Sequence, residues 1–192
     1  MHKPILFINA CVRRDTRTLR LAAPLLLKLG KPFKEIDLAE MSFPVTNEAF
    51  LQKRDCLLFT KDYSDPMFAM ARDFAEAEEI VIAAPYWDLS FPATLKQYLE
   101  QVNVVGITFK YTEEGIPVGL CKAKRIFYVT TAGGFFVPHE YGFGYVKALA
   151  ENYYGIHDVR LLEAKGLDIV GADVDAILEE AEGEIEAITK KD

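Results

Sequence analysis

The sequence predicts an α/β fold: five parallel strands in the order 2-1-3-4-5, doubly wound, with helices on both faces. Three observations carry this. Short apolar runs alternate with longer segments of helical spacing along the whole chain. That alternation is what a parallel sheet covered by crossover helices produces. The length, 192 residues with 51% hydrophobic side chains, is enough to bury a core without disulfides or metals. The expected organisation is a single domain over residues 1–192.

The elements follow in order. "PILFINAC" (4–11) is a short apolar run and reads as a buried strand. Residues 16–30 have helical spacing, with Leu19, Ala22, Ala23, Leu26 and Leu27 on one side and Gly30 as the stop. "KPFKEIDLAE" (31–40) supplies a second, more alternating strand. Residues 47–77 read as interrupted helix, with Pro66 near the start of a second segment. "EEIVIAAP" (78–85) is the third strand, and "FPATLKQYLEQV" (91–102) a helix with proline in its first turn. Residues 106–124 are polar and glycine-bearing, a long loop or a hairpin. "RIFYVTTAGG" (125–134) is the fourth strand, ending in a diglycine. A helix at 144–155, the last strand within 156–167 and one amphipathic helix over 173–188 complete the pattern. The last helix places Val174, Ile177, Leu178, Ala181, Ile185 and Ile188 on one face.

Composition narrows the function. A net charge of −7 argues against a general nucleic-acid or anionic-membrane surface. The three cysteines are far apart, and no Cys/His cluster has metal-ligand spacing, so neither a disulfide framework nor a metal site is expected. No segment reads as a leader or a membrane span, so the expected location is the cytoplasm.

The order 2-1-3-4-5 is that of the flavodoxin-like fold, in which ligands bind where the carboxyl ends of strands one and three diverge. The loop after the first strand, "NACVRRDTRTLRL", ends in Thr16, Arg17 and Thr18 at a helix N-terminus. Free N–H groups, the helix dipole and two hydroxyls there suit a phosphate, with Arg13 and Arg14 adding charge. Plain N-capping with solvated arginines is the alternative. No GxGxxG is present, which argues against a dinucleotide fingerprint. The loop after the third strand, "PYWDLSF", offers Pro85, Tyr86, Trp87, Asp88, Leu89 and Phe91. Its aromatic and apolar groups could cover a flat ring, and the Trp87 and Asp88 N–H groups could meet the ring's edge. Packing under a neighbouring loop would also explain them. The loop after the fourth strand carries Thr131, Ala132, Gly133 and Gly134, where the backbone could approach a ligand closely. Phe135, Phe136 and His139 follow. His139 is either an exposed loop histidine or a proton donor. Together the three loops describe a site for a mononucleotide with a planar ring, best matched by flavin mononucleotide.

At "IVIAAPYWDLSFPATLKQYLE", "GITFKYTEEG", "TTAGG" and "YYGIHDVRLLEAKG" the chain resembles the FMN-dependent NAD(P)H azoreductases and quinone reductases of the flavodoxin-like superfamily. The resemblance runs from about Lys3 to Gly166. It implies a homodimer with one FMN per subunit at the interface. Thr16, Arg17 and Thr18 match the phosphate loop, Tyr86 to Leu89 the loop after strand three, and Thr131 to Gly134 the loop after strand four. Tyr111 matches an aromatic that reaches the partner's flavin, and Tyr153 a second one. Ala10 stands where such proteins often have serine, Asp88 where they commonly have asparagine, and Ala132 where some have a longer side chain.

The implied chemistry is ping-pong. NADH or NADPH reduces the flavin and leaves, and a flat acceptor such as a quinone or azo compound takes its place. The substrate pocket would comprise Trp87, Phe91, Tyr111, Phe135, Phe136 and Tyr153, with His139 or water giving protons. Two other readings use the same residues. One is an electron carrier that binds FMN without its own NAD(P)H turnover. The other is an α/β domain without flavin, in which every feature above is packing.

Overall fold

The computed structural model describes residues 4–190. The elements are β1 (Ile5–Asn9), α1 (Arg17–Leu29), β2 (Phe33–Asp37), α2 (Glu48–Thr60), α3 (Ala69–Glu76), β3 (Ile80–Ala83) and α4 (Ala93–Val102). They continue with β4 (Phe109–Tyr111), β5 (Pro117–Gly119), β6 (Arg125–Thr131), α5 (Phe143–Leu149), β7 (Asp158–Ala164), α6 (Val174–Gly183) and α7 (Ile185–Thr189). The main sheet has five strands in the order β2-β1-β3-β6-β7, all parallel. By sequence rank within that sheet this is 2-1-3-4-5, the flavodoxin-like order.

The two-residue period of the strands builds two cores. Leu6, Ile8, Ile80, Ile82, Ile126 and Tyr128 point to one face, where α3 brings Phe74, α4 brings Leu95, Tyr98 and Leu99, and α5 brings Val146. Ile5, Phe7, Val81, Ala83, Phe127 and Val129 point to the other, under Leu21, Ala22 and Leu25 of α1 and Leu178 and Ala181 of α6. Because β1, β3 and β6 are covered on both faces, their runs are apolar at both odd and even positions, whereas β2, at the sheet edge, is mostly exposed. α2 contributes no fully buried residue, consistent with its place outside both layers.

Helix ends follow local chemistry. Thr16 caps α1 by accepting from the Leu19 N–H at 3.0 Å, and Gly30 closes it at φ +63°. Asn47 caps α2 by accepting from Phe50 N–H. A 3₁₀ turn at Pro66–Phe68 leads into α3, with Asp65 as its cap. The expected single C-terminal helix is two. α6 ends at Gly183 and α7 starts at Ile185, yet Leu178, Ala181 and Ile185 still share one core face. Gly183 at the junction weakens the helix there, and burial of the shared face holds both pieces on the sheet.

The segment 106–124 is a hairpin: β4 and β5 pair antiparallel, Tyr111 opposite Pro117. It is clamped to the chain after α5, where a wider π turn spans Ala150–Tyr154. A Cβ at Gly119 would lie 2.1 Å from the Tyr154 carbonyl carbon, so only glycine allows this contact. Tyr153 stacks on Phe109 at 4.4 Å between centroids and 17° between planes. Tyr154 donates its hydroxyl to Asn103 Oδ1 at 2.6 Å.

Candidate functional site

The sheet register brings four carboxyl ends together. Asn9 of β1 stands opposite Ala83 of β3, Ala83 opposite Val129 of β6, and Thr131 of β6 opposite Ala164 of β7. Beyond these ends opens a cleft of about 530 Å³, within the usual range for a small-molecule site. Thr16, Arg17 and Thr18 line it, with Pro85, Trp87 and Thr131 from the loops after β3 and β6, and Arg13 and Asp168 at its sides.

The floor is built from α1. Thr16 spends its side chain on Leu19 N–H, so the Arg17 and Thr18 N–H groups keep no partner among the described residues. Free donors at a helix N-terminus, inside the positive end of the helix dipole, are what a phosphate requires. Thr18 is buried, and its hydroxyl meets that of Thr131 at 2.6 Å, tying the start of α1 to the end of β6. Cys11 lies beneath, buried, and burial pushes its thiol up to about 11 against weaker opposing hydrogen bonds with Thr16 and Thr18. It is therefore a protonated packing group at neutral pH, not a nucleophile. Arg13 lines the cleft, while Arg14 turns toward Glu40 at 3.8 Å along an adjoining cleft.

The loop after β3 departs from expectation. Trp87 N–H donates to Ser90 O at 3.1 Å, and Ser90 N–H returns to Trp87 O at 2.7 Å. Asp88 and Leu89 between them have φ of +50° and +68°, the pattern of a type I′ turn. The Trp87 N–H is thus consumed by the turn and cannot meet a ring edge; the Asp88 N–H has no partner among the described residues. Trp87 is 43% exposed and forms a wall of the cleft. Tyr86 turns the other way. Its hydroxyl is buried without a partner in a small internal cavity beside Tyr128, Thr130, His139 and Phe143, and burial raises its pKa. Tyr86 is therefore half-buried with its hydroxyl covered, and Trp87 is the aromatic that the loop gives to the cleft. Phe91 lies against Tyr145 at 5.9 Å, at the edge of the core.

In the loop after β6, Ala132 pairs its N–H with Ala164 O. Gly133 has a different reason to be glycine from the one expected. A Cβ there would lie 2.1 Å from Asp168 Oδ2, so the bare backbone makes room for this carboxylate. Gly134 has open space on that side. Phe135 and Phe136 are 68% and 79% exposed and line none of this cleft.

His139 is outside the cleft. Its Nε2 lies 2.9 Å from Glu163 Oε2, and Lys165 Nζ lies 2.8 Å from the other oxygen. Burial raises the Glu163 pKa, but the Lys165 and then His139 hydrogen bonds outweigh it and hold the carboxyl below its ordinary value. The histidine is committed to this pair on the cavity behind Tyr86. Tyr111 is 49% exposed, and it and Tyr153 both stand on the hairpin side beside Phe109.

Sequence reasoning missed Asp168. Its carboxylate pairs with Arg17 Nη1 at 2.5 Å, and its N–H donates to Gly133 O at 2.9 Å. The signal available was weak: an acidic residue just after the last strand's "AKGL". Among the described residues no group of His, Cys, Asp and Glu is arranged to hold a metal ion. No helix among them is long and apolar enough to cross a membrane.

Sheet order, helix N-terminus and cleft together define a flavodoxin-like α/β protein with a site suited to a phosphorylated ligand. Comparison with known proteins agrees. A family model described as flavodoxin-like fold matches residues 3–188, and the chain belongs to that family. An FMN-dependent NADH:quinone oxidoreductase of Coprothermobacter proteolyticus is 34% identical, over 97% of this chain and 98% of its own length. One from Clostridium perfringens is 33% identical with the same coverage. Among solved structures, an azoreductase from Bacillus anthracis superposes with a TM-score of 0.85 at 22% identity, covering all of both chains. An FMN-dependent NADH-azoreductase from the same organism, in complex with FMN, gives 0.82 at 23% identity, over 97% and 98% of the two chains.

Proposed function

We propose that the chain, as one domain over residues 1–192, is an FMN-dependent NAD(P)H oxidoreductase. It passes two electrons to quinones, azo compounds or similar flat acceptors. The observation that carries this reading is the cleft itself. Arg13, Arg17, the half-exposed Trp87 and two N–H groups at the start of α1 that have no partner among the described residues all border it. The full-length relatives whose names state FMN and NADH:quinone chemistry support it.

The donor set fits FMN. Arg17 and Thr18 N–H, with the Arg17 and Arg13 side chains, would hold the phosphate, and Pro85 and Trp87 would bound the flat part. FMN, when bound, supplies the two-electron chemistry. The protein's own work is to orient the ring, to seat reductant and acceptor in turn over one face, and to supply dipoles where charge develops. With His139 tied to Glu163, solvent water is the proton source in this reading.

A homodimer and a cytoplasmic location go with this reading. The hairpin presents Tyr111, Ile116 and Val118 to solvent, and Phe135 and Phe136 stand exposed as well, an apolar surface for a second copy to cover. The test is one cuvette: purified protein, added FMN, then NADH and a quinone. Flavin retention with steady NADH consumption supports the enzyme. Retained flavin without NADH turnover would mark an electron carrier, and no flavin binding would remove the cofactor.

A further inference from the structure

We propose that Asp168 is a positioning residue that presents Arg17 to the cofactor phosphate, and so makes the site prefer a phosphorylated flavin over an unphosphorylated one. This rests on the FMN reading above and extends it to a residue outside the three loops.

Arg17 is the first residue of α1, and its long side chain is 40% exposed. Left alone, such a guanidinium samples many rotamers, and each phosphate contact would have to order it first. Asp168 removes that freedom. It takes one of the five Arg17 N–H donors, at 2.5 Å, and leaves the other four. Asp168 is itself fixed. Its N–H donates to Gly133 O at 2.9 Å, and its carboxylate rests on the bare side of Gly133, where a Cβ would be only 2.1 Å from Oδ2. Arg17 and Asp168 are 151 residues apart, and both line the cleft. The linkage therefore runs from the backbone of the loop after β6, through Asp168, to the cation at the helix N-terminus.

The sign of the effect separates this from simple charge. A carboxylate beside a phosphate repels it, so through-space electrostatics alone makes removal of Asp168 tighten FMN. Positioning makes removal weaken it.

The experiment measures FMN and riboflavin dissociation constants by quenching of flavin fluorescence, for wild type, Asp168→Ala, Asp168→Asn, Arg17→Ala and the Arg17→Ala/Asp168→Ala double variant. Asp168→Ala is expected to weaken FMN by roughly three- to tenfold, the scale of ordering one long side chain, and to leave riboflavin unchanged. Asp168→Asn, whose amide oxygen still accepts from Nη1, is expected to keep the wild-type preference for FMN. The double variant is expected to bind FMN no more weakly than Arg17→Ala alone. Unchanged or tighter FMN in Asp168→Ala, or equal losses for FMN and riboflavin, overturns the assignment of Asp168 while the cofactor reading stands. Wild-type protein that binds no FMN overturns both.

Discussion

Replacing Gly133 with alanine puts a methyl group where Asp168 already is. The new Cβ would lie 2.1 Å from Asp168 Oδ2, 2.8 Å from Cγ and 3.0 Å from Cβ. The carboxylate tip has to retreat by about 1.3 Å to reach the 3.4 Å at which ordinary contact begins. Rotating the tip relieves only the nearest clash. The Asp168 Cβ is also too close, so the loop backbone must give, and the Asp168 N–H to Gly133 O bond runs through that same place. The half-exposed Arg17–Asp168 pair contributes roughly 0.2–1 kcal/mol. Overpacking at a point that yields only partly adds roughly 1–2 kcal/mol. The expected destabilisation is about 1–3 kcal/mol, a fall in Tm of roughly 3–9 °C for a chain of this size. The assay is urea unfolding followed by circular dichroism, for Gly133→Ala in wild type and in the Asp168→Ala background. With Asp168 truncated to alanine the 2.1 and 2.8 Å clashes are gone and only the 3.0 Å contact with Cβ remains, so the cost should fall by roughly half or more. Equal costs in both backgrounds, or none in wild type, would refute the account of why this position is glycine.

Other expectations follow from the same contacts. Asp88→Asn should leave stability within about 0.5 kcal/mol, because both side chains tolerate a left-handed backbone, whereas Asp88→Val at φ +50° should cost roughly 1–2 kcal/mol; thermal melts of the two variants decide it. Titration with a thiol reagent at pH 8 should modify the exposed Cys56 quickly. Cys11 and Cys121, whose thiols burial pushes up to about 11 and about 12, should react only after unfolding. The sign of the Cys11 shift also sets a pH dependence. Its folded pKa lies above the ordinary 9.0, so its contribution is complete below pH 9 and is lost as pH rises toward about 11. Unfolding midpoints measured across pH 8–11 should fall, and Cys11→Ser should flatten the fall. Tyr111→Ala should raise KM for a quinone while leaving flavin content and fold intact, since the side chain is half exposed and packs only on the hairpin side; identical kinetics would remove it from the substrate site.

Asp88, which stands where the resemblance implies asparagine, takes on a local meaning. The position is the first of two left-handed residues in a tight turn, and aspartate and asparagine both serve there. The turn, not the side-chain amide, is what the backbone needs at this point. Leu89 beside it has no such excuse: a branched side chain at φ +68° is strained, and it sits in a loop that walls the cleft.

Sequence alone determined whatever local chemistry controls. Apolar runs located the central strands β1, β3 and β6, and Thr16 and Gly30 marked the ends of α1. The strand–helix alternation and the chirality of crossovers then left few topologies, which is why Thr16, Arg17 and Thr18 were legible as residues lining the cleft. Tertiary structure decided what depends on residues distant in the chain. It put Asp168 on Arg17, turned Tyr86 inward and Trp87 outward, tied His139 to Glu163, and used the Trp87 N–H in a turn. Capping, periodicity and turn preference are set by neighbours within a few residues. Which side chains share a cleft is set by the parallel register of β1, β3, β6 and β7, and no local pattern encodes it.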